Sequence, residues 1–245
     1  MFQDPPDYPA FFVGADHSRD DAVLLGVQWL LTQSGGTRLV LFHAKKMATN
    51  NRTLHQLITR YRIAYAAPNT LWRDGWRGGP VLAPWASKAV LTALDDELAD
   101  RVTAVCVLGG SAGEHDAWIS AHQAVDLASG QQAGAACIAD PVVLIAMEHA
   151  GHAINHNNGL VQTEDRAYMV LTLQELFRGG HHLDVEELAA WALSQGWPGR
   201  EVTELRDLVS KVTHGHRFQL RSQYGPVTGS ATRWLQEARD RGLLP

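Results

Sequence analysis

The chain of 245 residues contains two cysteines, four lysines and no long apolar run. Cys106 and Cys137 are too few for a disulfide framework, and we expect both to be reduced. The longest apolar stretches, such as Pro141 to Met147, are far shorter than the roughly 20 residues of a membrane-spanning helix. No charged segment followed by an apolar segment opens the sequence. These absences predict a cytoplasmic protein that does not insert into a membrane.

Hydrophobic residues make up 45% of the chain, which is ample for a folded core. The first 130 residues alternate between strand-like and helical patterns four times. Strands are predicted at 10–14, 38–42, 81–83 and 102–108, and helices at 20–33, 53–61, 87–98 and 114–122. This alternation predicts an α/β fold over residues 1–130, a Rossmann-like, mainly parallel sheet flanked by helices.

Beyond residue 130 no convincing strand pattern appears, and helices are predicted at 141–153, 163–177, 185–194 and 201–212. Residues 131–221 are therefore predicted to form a small all-helical domain, and residues 222–245 a linker and a C-terminal helix. The helices at 185–194 and 201–212 resemble a helix-turn-helix. The second of them is nearly neutral in charge, so plain helical packing is favoured over DNA reading.

Positive charge is concentrated in one part of the sequence. Residues 38–79 contain eight basic residues and one acid, whereas the rest of the chain has 13 basic and 25 acidic residues. Tyr61, Tyr65, Trp72 and Trp76 are interleaved with these basic residues. Arg and Lys among aromatic rings suit a ligand with phosphates and a stacked base, so the segment predicts binding of a nucleotide or a nucleic acid.

The loops after the predicted strands also carry cationic or histidine side chains, and ligands bind open parallel sheets at the carboxyl ends of the strands. No G-x-G-x-x-G or Walker fingerprint accompanies them, and the sequence does not identify a cofactor. The predicted ligand-binding residues are His17, Arg19, His43, Lys45, Lys46, Arg52, Arg60, Arg62, Trp72, Arg73, Trp76, Arg77, Trp85 and Lys88.

Two other functions fit parts of the sequence. Residues 109–113 match G-x-S-x-G between a predicted strand and a predicted helix, the context of a serine-hydrolase nucleophile, which makes Ser111 a candidate catalytic residue. Ser111 with Glu114 equally forms a helix capping box, and no later strands are predicted to carry the other catalytic groups. Alternatively, Trp72, Trp76 and Trp85 form a patch for a protein partner or a second copy of the chain.

A histidine-rich stretch follows residue 147. His149, His152 and His156 are spaced three and four residues apart, so they can share one face of a helix and are candidate zinc ligands. Histidines are also favoured near the C-terminus of a helix by its dipole. That simpler interpretation is preferred, and no metal is assigned.

Three segments are similar to an uncharacterised family of bacterial proteins. They are Trp76-Arg77-Gly78-Gly79-Pro80-Val81-Leu82-Ala83-Pro84-Trp85, Asp140-Pro141-Val142-Val143 and Trp191-Ala192-Leu193-Ser194-Gln195-Gly196-Trp197. The resemblance extends over most of residues 10–221. It implies that the two halves of the chain belong together, and it implies no activity.

Overall fold

The computed structural model describes residues 8–71, 75–109, 113, 115–156, 159–160, 163–220 and 230–244. The chain divides into two compact units between Ala135 and Ala136, whereas the sequence places the boundary near Gly130. The polar linker predicted to begin at residue 222 lies outside the described residues as far as residue 229.

The first unit is built on a six-stranded sheet in which every pair of neighbours is parallel. Its order is β3-β2-β4-β5-β1-β6. The strands are β1 Ala10–Val13, β2 Leu39–Leu41, β3 Ala64–Ala66, β4 Gly79–Pro84, β5 Val102–Leu108 and β6 Val125–Asp126. The prediction of a parallel, Rossmann-like α/β fold is confirmed.

Helices cover both faces of this sheet. They are α1 Arg19–Thr32, α2 Arg52–Tyr61, α3 Lys88–Asp96 and α4 Asp116–Ala121. Because successive side chains of a strand point to opposite faces, β5 divides its apolar residues between two clusters. Cys106 and Leu108 pack with α1 and α2, whereas Val105 and Val107 pack with α3 and α4. The continuous apolar run of β5 is thus explained by burial on both faces.

Local signals set the starts of the helices. The side chain of Ser18 caps α1 by accepting a hydrogen bond from the amide of Asp21 at 3.2 Å. Asn51 caps α2 by accepting from the amide of Leu54 at 2.7 Å. At the end of α2, Arg62 takes a left-handed conformation with φ 51°, where glycine is the usual residue.

The sequence prediction missed β3 and β6. β3 has three residues and β6 has two, and they are the two outermost strands of the sheet. Segments this short show too few alternations for a period of two to be recognised. Pairing with β2 and β1 therefore determines that these segments are strands.

The second unit is helical in the residues described, which confirms the predicted helical region. Its helices are α5 Pro141–Ala153, α6 Thr163–Arg178, α7 Val185–Ser194, α8 Gly199–Thr213 and α9 Ser230–Asp240. α5 packs against α6 and α9, and α8 packs against α6 and α7. No helix within the described ranges has both the length and the apolar content needed to cross a membrane.

A buried carboxylate ties three segments of the α/β unit together. Asp95, at the end of α3, accepts a hydrogen bond at Oδ1 from the Tyr8 hydroxyl at 2.5 Å. The same oxygen lies 3.3 Å from Nε1 of Trp118 and 3.2 Å from Nε2 of His122. The Tyr8 and His122 rings stack with their centroids 5.3 Å apart. Burial, and then the charge of Asp95, raises the pKa of Tyr8 well above its usual value.

We predict that Tyr8→Phe lowers the free energy of unfolding by about 1.5 to 3 kcal/mol, the usual range for a hydrogen bond to a charged group. Urea denaturation near neutral pH measures the change. Tyr65→Phe is the matched control, because Tyr65 is exposed and its hydroxyl should contribute little. Equal effects of the two substitutions would show that the contact with Asp95 does not stabilise the fold.

Candidate functional site

A cavity lies where the direction of the sheet connections changes. From β1 the chain crosses over β5 and β4 to reach β2, whereas from β5 it crosses over β1 to reach β6. The connections that leave the neighbouring strands β1 and β5 therefore run in opposite directions. They leave a crevice at the carboxyl ends of these strands, the position at which open α/β sheets bind ligands.

The cavity has a volume of about 590 Å³, which is within the usual range for small-molecule sites. Its walls combine apolar side chains with a few polar groups. The lining residues are Phe12, Val13, Gly14, Ala15, Asp16, Val107, Gly109, Gly113, His115, Asp116 and Ile119. All of them belong to the α/β unit.

Glycine allows the two strands that border the cavity to approach closely. The amide of Gly109 donates to the carbonyl of Val13 at 2.9 Å. A Cβ atom on Gly109 would lie 3.2 Å from that carbonyl oxygen and 3.2 Å from the nitrogen of Ala15. A larger residue here would push apart the loops that follow β1 and β5.

Two histidines join loops that are distant in the sequence. His115 is buried, and its Nε2 atom lies 2.7 Å from the carbonyl oxygen of Ala86, after β4. His43, after β2, places Nδ1 2.9 Å from the hydroxyl of Ser87. Each pair connects neighbouring strands of the sheet, so the loops after β2, β4 and β5 form one connected edge.

Arg19 and Trp85 lie in the segments that follow β1 and β4, at the same ends of the strands. The guanidinium carbon of Arg19, at the start of α1, lies 5.4 Å from the centroid of the Trp85 ring, in the range of a cation–π contact. Trp85 follows β4 and has a φ of 49°, a conformation that non-glycine residues rarely adopt. The stacked pair places a cationic group next to an aromatic face.

The structure divides the predicted ligand-binding residues between the carboxyl ends and the amino ends of the strands. Those in loops after strands, or at the start of the following helix, lie at the carboxyl edge. They are His17, Arg19, His43, Lys45, Lys46, Arg52, Trp85 and Lys88. Lys45 also lies over the ring of Tyr65, with Nζ 5.6 Å from its centroid. In the following, the carboxyl edge means this set together with the cavity.

The other described members lie near the opposite edge. Arg60 is in the last turn of α2, Arg62 precedes β3, and Trp76 and Arg77 precede β4. Trp76 is buried, and its Nε1 donates to the carbonyl of Thr37 at 2.6 Å. It is therefore a core residue with no exposed face for a base. Trp72 and Arg73 lie outside the described residues.

The candidate serine also lies outside the described residues, as do Gly110, Ala112 and Glu114. The two outer glycines of G-x-S-x-G, Gly109 and Gly113, line the cavity. Of the three tryptophans proposed as a partner-binding patch, Trp76 is buried and Trp85 is half-buried.

The three histidines considered for zinc contact different groups. Nε2 of His149 lies 2.8 Å from Oε2 of Glu237. Nδ1 of His152 lies 2.7 Å from the carbonyl oxygen of Glu148, and Nδ1 of His156 lies 2.6 Å from Oε2 of Glu201. Among the residues described, no three His, Cys, Asp or Glu side chains are grouped so as to hold a metal ion.

His156 lies between two hydrogen-bond acceptors of the helical unit. Its Nδ1 faces the fully buried carboxylate of Glu201, and its Nε2 lies 3.0 Å from the carbonyl oxygen of Gly151. Only the doubly protonated ring can donate to both acceptors. Burial alone would lower the pKa of His156. The hydrogen bond and the charge of Glu201, together with the Gly151 carbonyl, outweigh burial and raise it.

A raised histidine pKa gives a stabilisation that is complete below the unfolded-state pKa and is lost as pH rises through the folded-state value. We therefore predict that wild type is more stable than His156→Asn at about pH 5, and that this advantage shrinks as pH rises above about 6.5. Urea denaturation across this range measures both proteins. His152→Asn is the control, because His152 is exposed. An advantage that did not change with pH would contradict a cationic His156.

The α/β unit thus has an open parallel sheet with a cavity at the carboxyl ends of β1 and β5. Residues 139–235, in the helical unit, match the family model of a domain of unknown function, DUF1889. The resemblance to an uncharacterised family is confirmed for this part of the chain. Searches of curated proteins and of solved structures found no match.

None of the predicted ligand-binding residues is among those that line the cavity, and its polar lining residues Asp16, His115 and Asp116 are absent from the prediction. The predicted residues are basic, histidine and tryptophan side chains chosen by type, whereas a cavity is formed only when the sheet folds. The signal that could have found them was the glycine-rich turn after β5, which marks a close approach of backbone.

Proposed function

We propose that the protein binds a nucleotide, or a phosphate-bearing small molecule of similar size, at the carboxyl edge of its sheet. The observation that carries the proposal is the cavity at the switch point between β1 and β5, at the same ends of the strands as the basic residues that follow β1, β2 and β4. A crevice at this position, with apolar walls and a few polar groups, is the usual form of a small-molecule site in an open α/β sheet.

The charges around the cavity suggest how such a ligand is oriented. Asp16 and Asp116 line it and would repel a phosphate, so the cavity suits the uncharged part of the ligand. Carboxylates there can accept hydrogen bonds from ribose hydroxyls. Among the lining residues that the structure describes, His115 is the third with an ionisable side chain.

The phosphates then belong on the loops after β4 and β2. Neighbouring strands are about 4.8 Å apart, so the distance from β1 across β5 and β4 to β2 is about 14 Å. Arg19, at the start of α1, lies over Trp85, which follows β4, and His43, Lys45 and Lys46 lie further along, after β2. A nucleoside diphosphate is long enough to reach from the cavity to these cations.

Both cysteines are free thiols, which agrees with the cytoplasm as the proposed compartment. The proposal concerns binding and assigns no reaction.

Isothermal titration calorimetry with purine and pyrimidine nucleoside diphosphates tests the proposal, with the corresponding nucleosides as comparison. We expect at least one diphosphate to bind more tightly than its nucleoside, because the basic loops contribute only through the phosphates. If no diphosphate produced a measurable heat at low salt, the proposal would be wrong.

We predict that Arg19→Ala weakens diphosphate binding by about 10- to 100-fold, the change expected on loss of a charged hydrogen bond. Binding of the nucleoside should change little. Arg178→Ala is the matched control, because Arg178 is an exposed arginine at the end of α6. Equal losses in the two variants would indicate a general effect of net charge instead of a contact at the site.

A further inference from the structure

A row of arginines lies at the other edge of the sheet. Four neighbouring strands are each preceded, within two residues, by an arginine. In the order of the strands β3, β2, β4 and β5, these are Arg62, Arg38, Arg77 and Arg101. At about 4.8 Å for each strand the row extends over about 14 Å. In the following, the amino edge means this row with Arg60 and Tyr61.

Backbone contacts hold the loops of the amino edge in place. The amide of Thr37 donates to the carbonyl of Gly78 at 2.9 Å, and the amide of Gly79 donates to the carbonyl of Arg101 at 2.9 Å. The buried indole of Trp76 binds the Thr37 carbonyl. A Cβ on Gly79 would lie 2.6 Å from the Thr37 oxygen, so only glycine permits this packing. The loops before β2, β4 and β5 therefore form a fixed platform.

Arg38 already has partners in the fold, and Arg101 has acidic residues close to it in the sequence. Arg38 donates to the carbonyls of Leu31 and Gln33 at 2.8 and 3.2 Å, at the end of α1. Arg101 follows Asp100 in the sequence, and Glu97 is nearby at the end of α3; both acids are exposed. Arg38 therefore serves the fold, and Arg101 is left out of the proposed contacts because Asp100 is beside it in the sequence.

Arg60, Arg62 and Arg77 have no acidic residue directly before or after them in the sequence, in contrast to Arg101. All three are exposed, and none forms an ion pair with another residue that the structure describes. The cavity at the carboxyl edge is lined by two acids, Asp16 and Asp116. No acid is described between Arg60, Arg62 and Arg77. The three arginine side chains at this end of the row are exposed to solvent.

Arg62 occupies a position that suits another residue. Its φ of 51° places it in the left-handed region, which costs an L-residue about 1 kcal/mol and costs glycine nothing. An arginine here does not improve the helix end. Glycine would fit the backbone at this position but would lack the cationic side chain of Arg62.

An exposed aromatic ring lies between these cations. Tyr61 is 42% exposed, and the guanidinium carbon of Arg60 lies 5.3 Å from its ring centroid. Cations for phosphates beside a ring for a base are the elements with which proteins bind single strands without sequence preference. An acidic peptide would need the cations but not the ring.

We propose that the amino edge binds single-stranded nucleic acid, with Arg60, Arg62 and Arg77 on backbone phosphates and Tyr61 against a base. This surface is separate from the proposed nucleotide site, because the two occupy opposite edges of the sheet. Either can be present without the other.

Fluorescence anisotropy of the full chain with a labelled oligothymidylate of about 16 nucleotides tests the inference. We expect binding at low salt that weakens as salt increases. In the variant Arg60→Ala, Arg62→Gly, Arg77→Ala, the slope of log Kobs against log salt should fall by about 2, close to 0.7 for each of three lost phosphate contacts. Absence of binding by wild type at low salt would overturn the proposal.

A second triple variant controls for net charge. Arg178→Ala, Arg217→Ala and Arg239→Ala remove three exposed arginines of the helical unit and should leave the salt slope unchanged. If both triple variants lowered the slope equally, the attraction would be a property of the whole chain, and the amino edge would not be the site.

The single variant Arg62→Gly separates binding from folding. Glycine fits the left-handed position better, so the thermal midpoint should stay the same or rise while oligonucleotide affinity falls severalfold. Unchanged affinity in this variant would remove Arg62 from the site. Tyr61→Ala should lower affinity without changing the salt slope, because the ring carries no charge.

Discussion

Parallel pairing is the constraint on which the rest of the α/β unit depends. Each strand, from β3 on one side of the sheet to β6 on the other, runs in the same direction as its neighbours. Every loop that follows a strand therefore emerges at the carboxyl edge, and every loop that precedes a strand lies at the amino edge. The hydrogen bonds of the sheet thereby decide which side chains can meet. Glycines at Gly79 and Gly109 permit the close backbone contacts that hold both edges.

The sequence predicts the fold where a pattern is long enough to repeat. β5 has seven residues that are mostly buried, and the alternation of such runs with helices is sufficient to predict a parallel sheet. β3 and β6 are too short to be recognised, since their conformation depends on the neighbouring strand. The position of the Trp76 side chain likewise depends on a contact that the sequence does not show. Its position among basic residues indicates a ligand contact, yet its indole binds Thr37, 39 residues away in the sequence.

The site is harder to predict than the fold, because the sequence shows only which charges are neighbours along the chain, not which are neighbours in space. Residues 38–79 appear continuous in the sequence. In the structure the chain passes from the carboxyl edge, through α2, to the amino edge before β3, and β4 then begins at that same edge. The single basic segment thus becomes two surfaces. The contacts that define the carboxyl edge, such as His43 with Ser87 and His115 with the Ala86 carbonyl, join residues 44 and 29 positions apart, a distance that no local pattern reveals.

The division has an electrostatic consequence for the two proposed sites. α2 has ten residues, so its length of about 15 Å separates the cations near its start from Arg60 and Arg62 at its end. The Debye length at physiological ionic strength is about 8 Å, and charges in solvent at nearly twice that distance are largely screened from one another. A phosphate at the carboxyl edge would therefore repel a nucleic acid backbone at the amino edge only weakly. Since α2 contributes to both edges, any stronger coupling between the two ligands would have to be transmitted by a movement of that helix against the sheet.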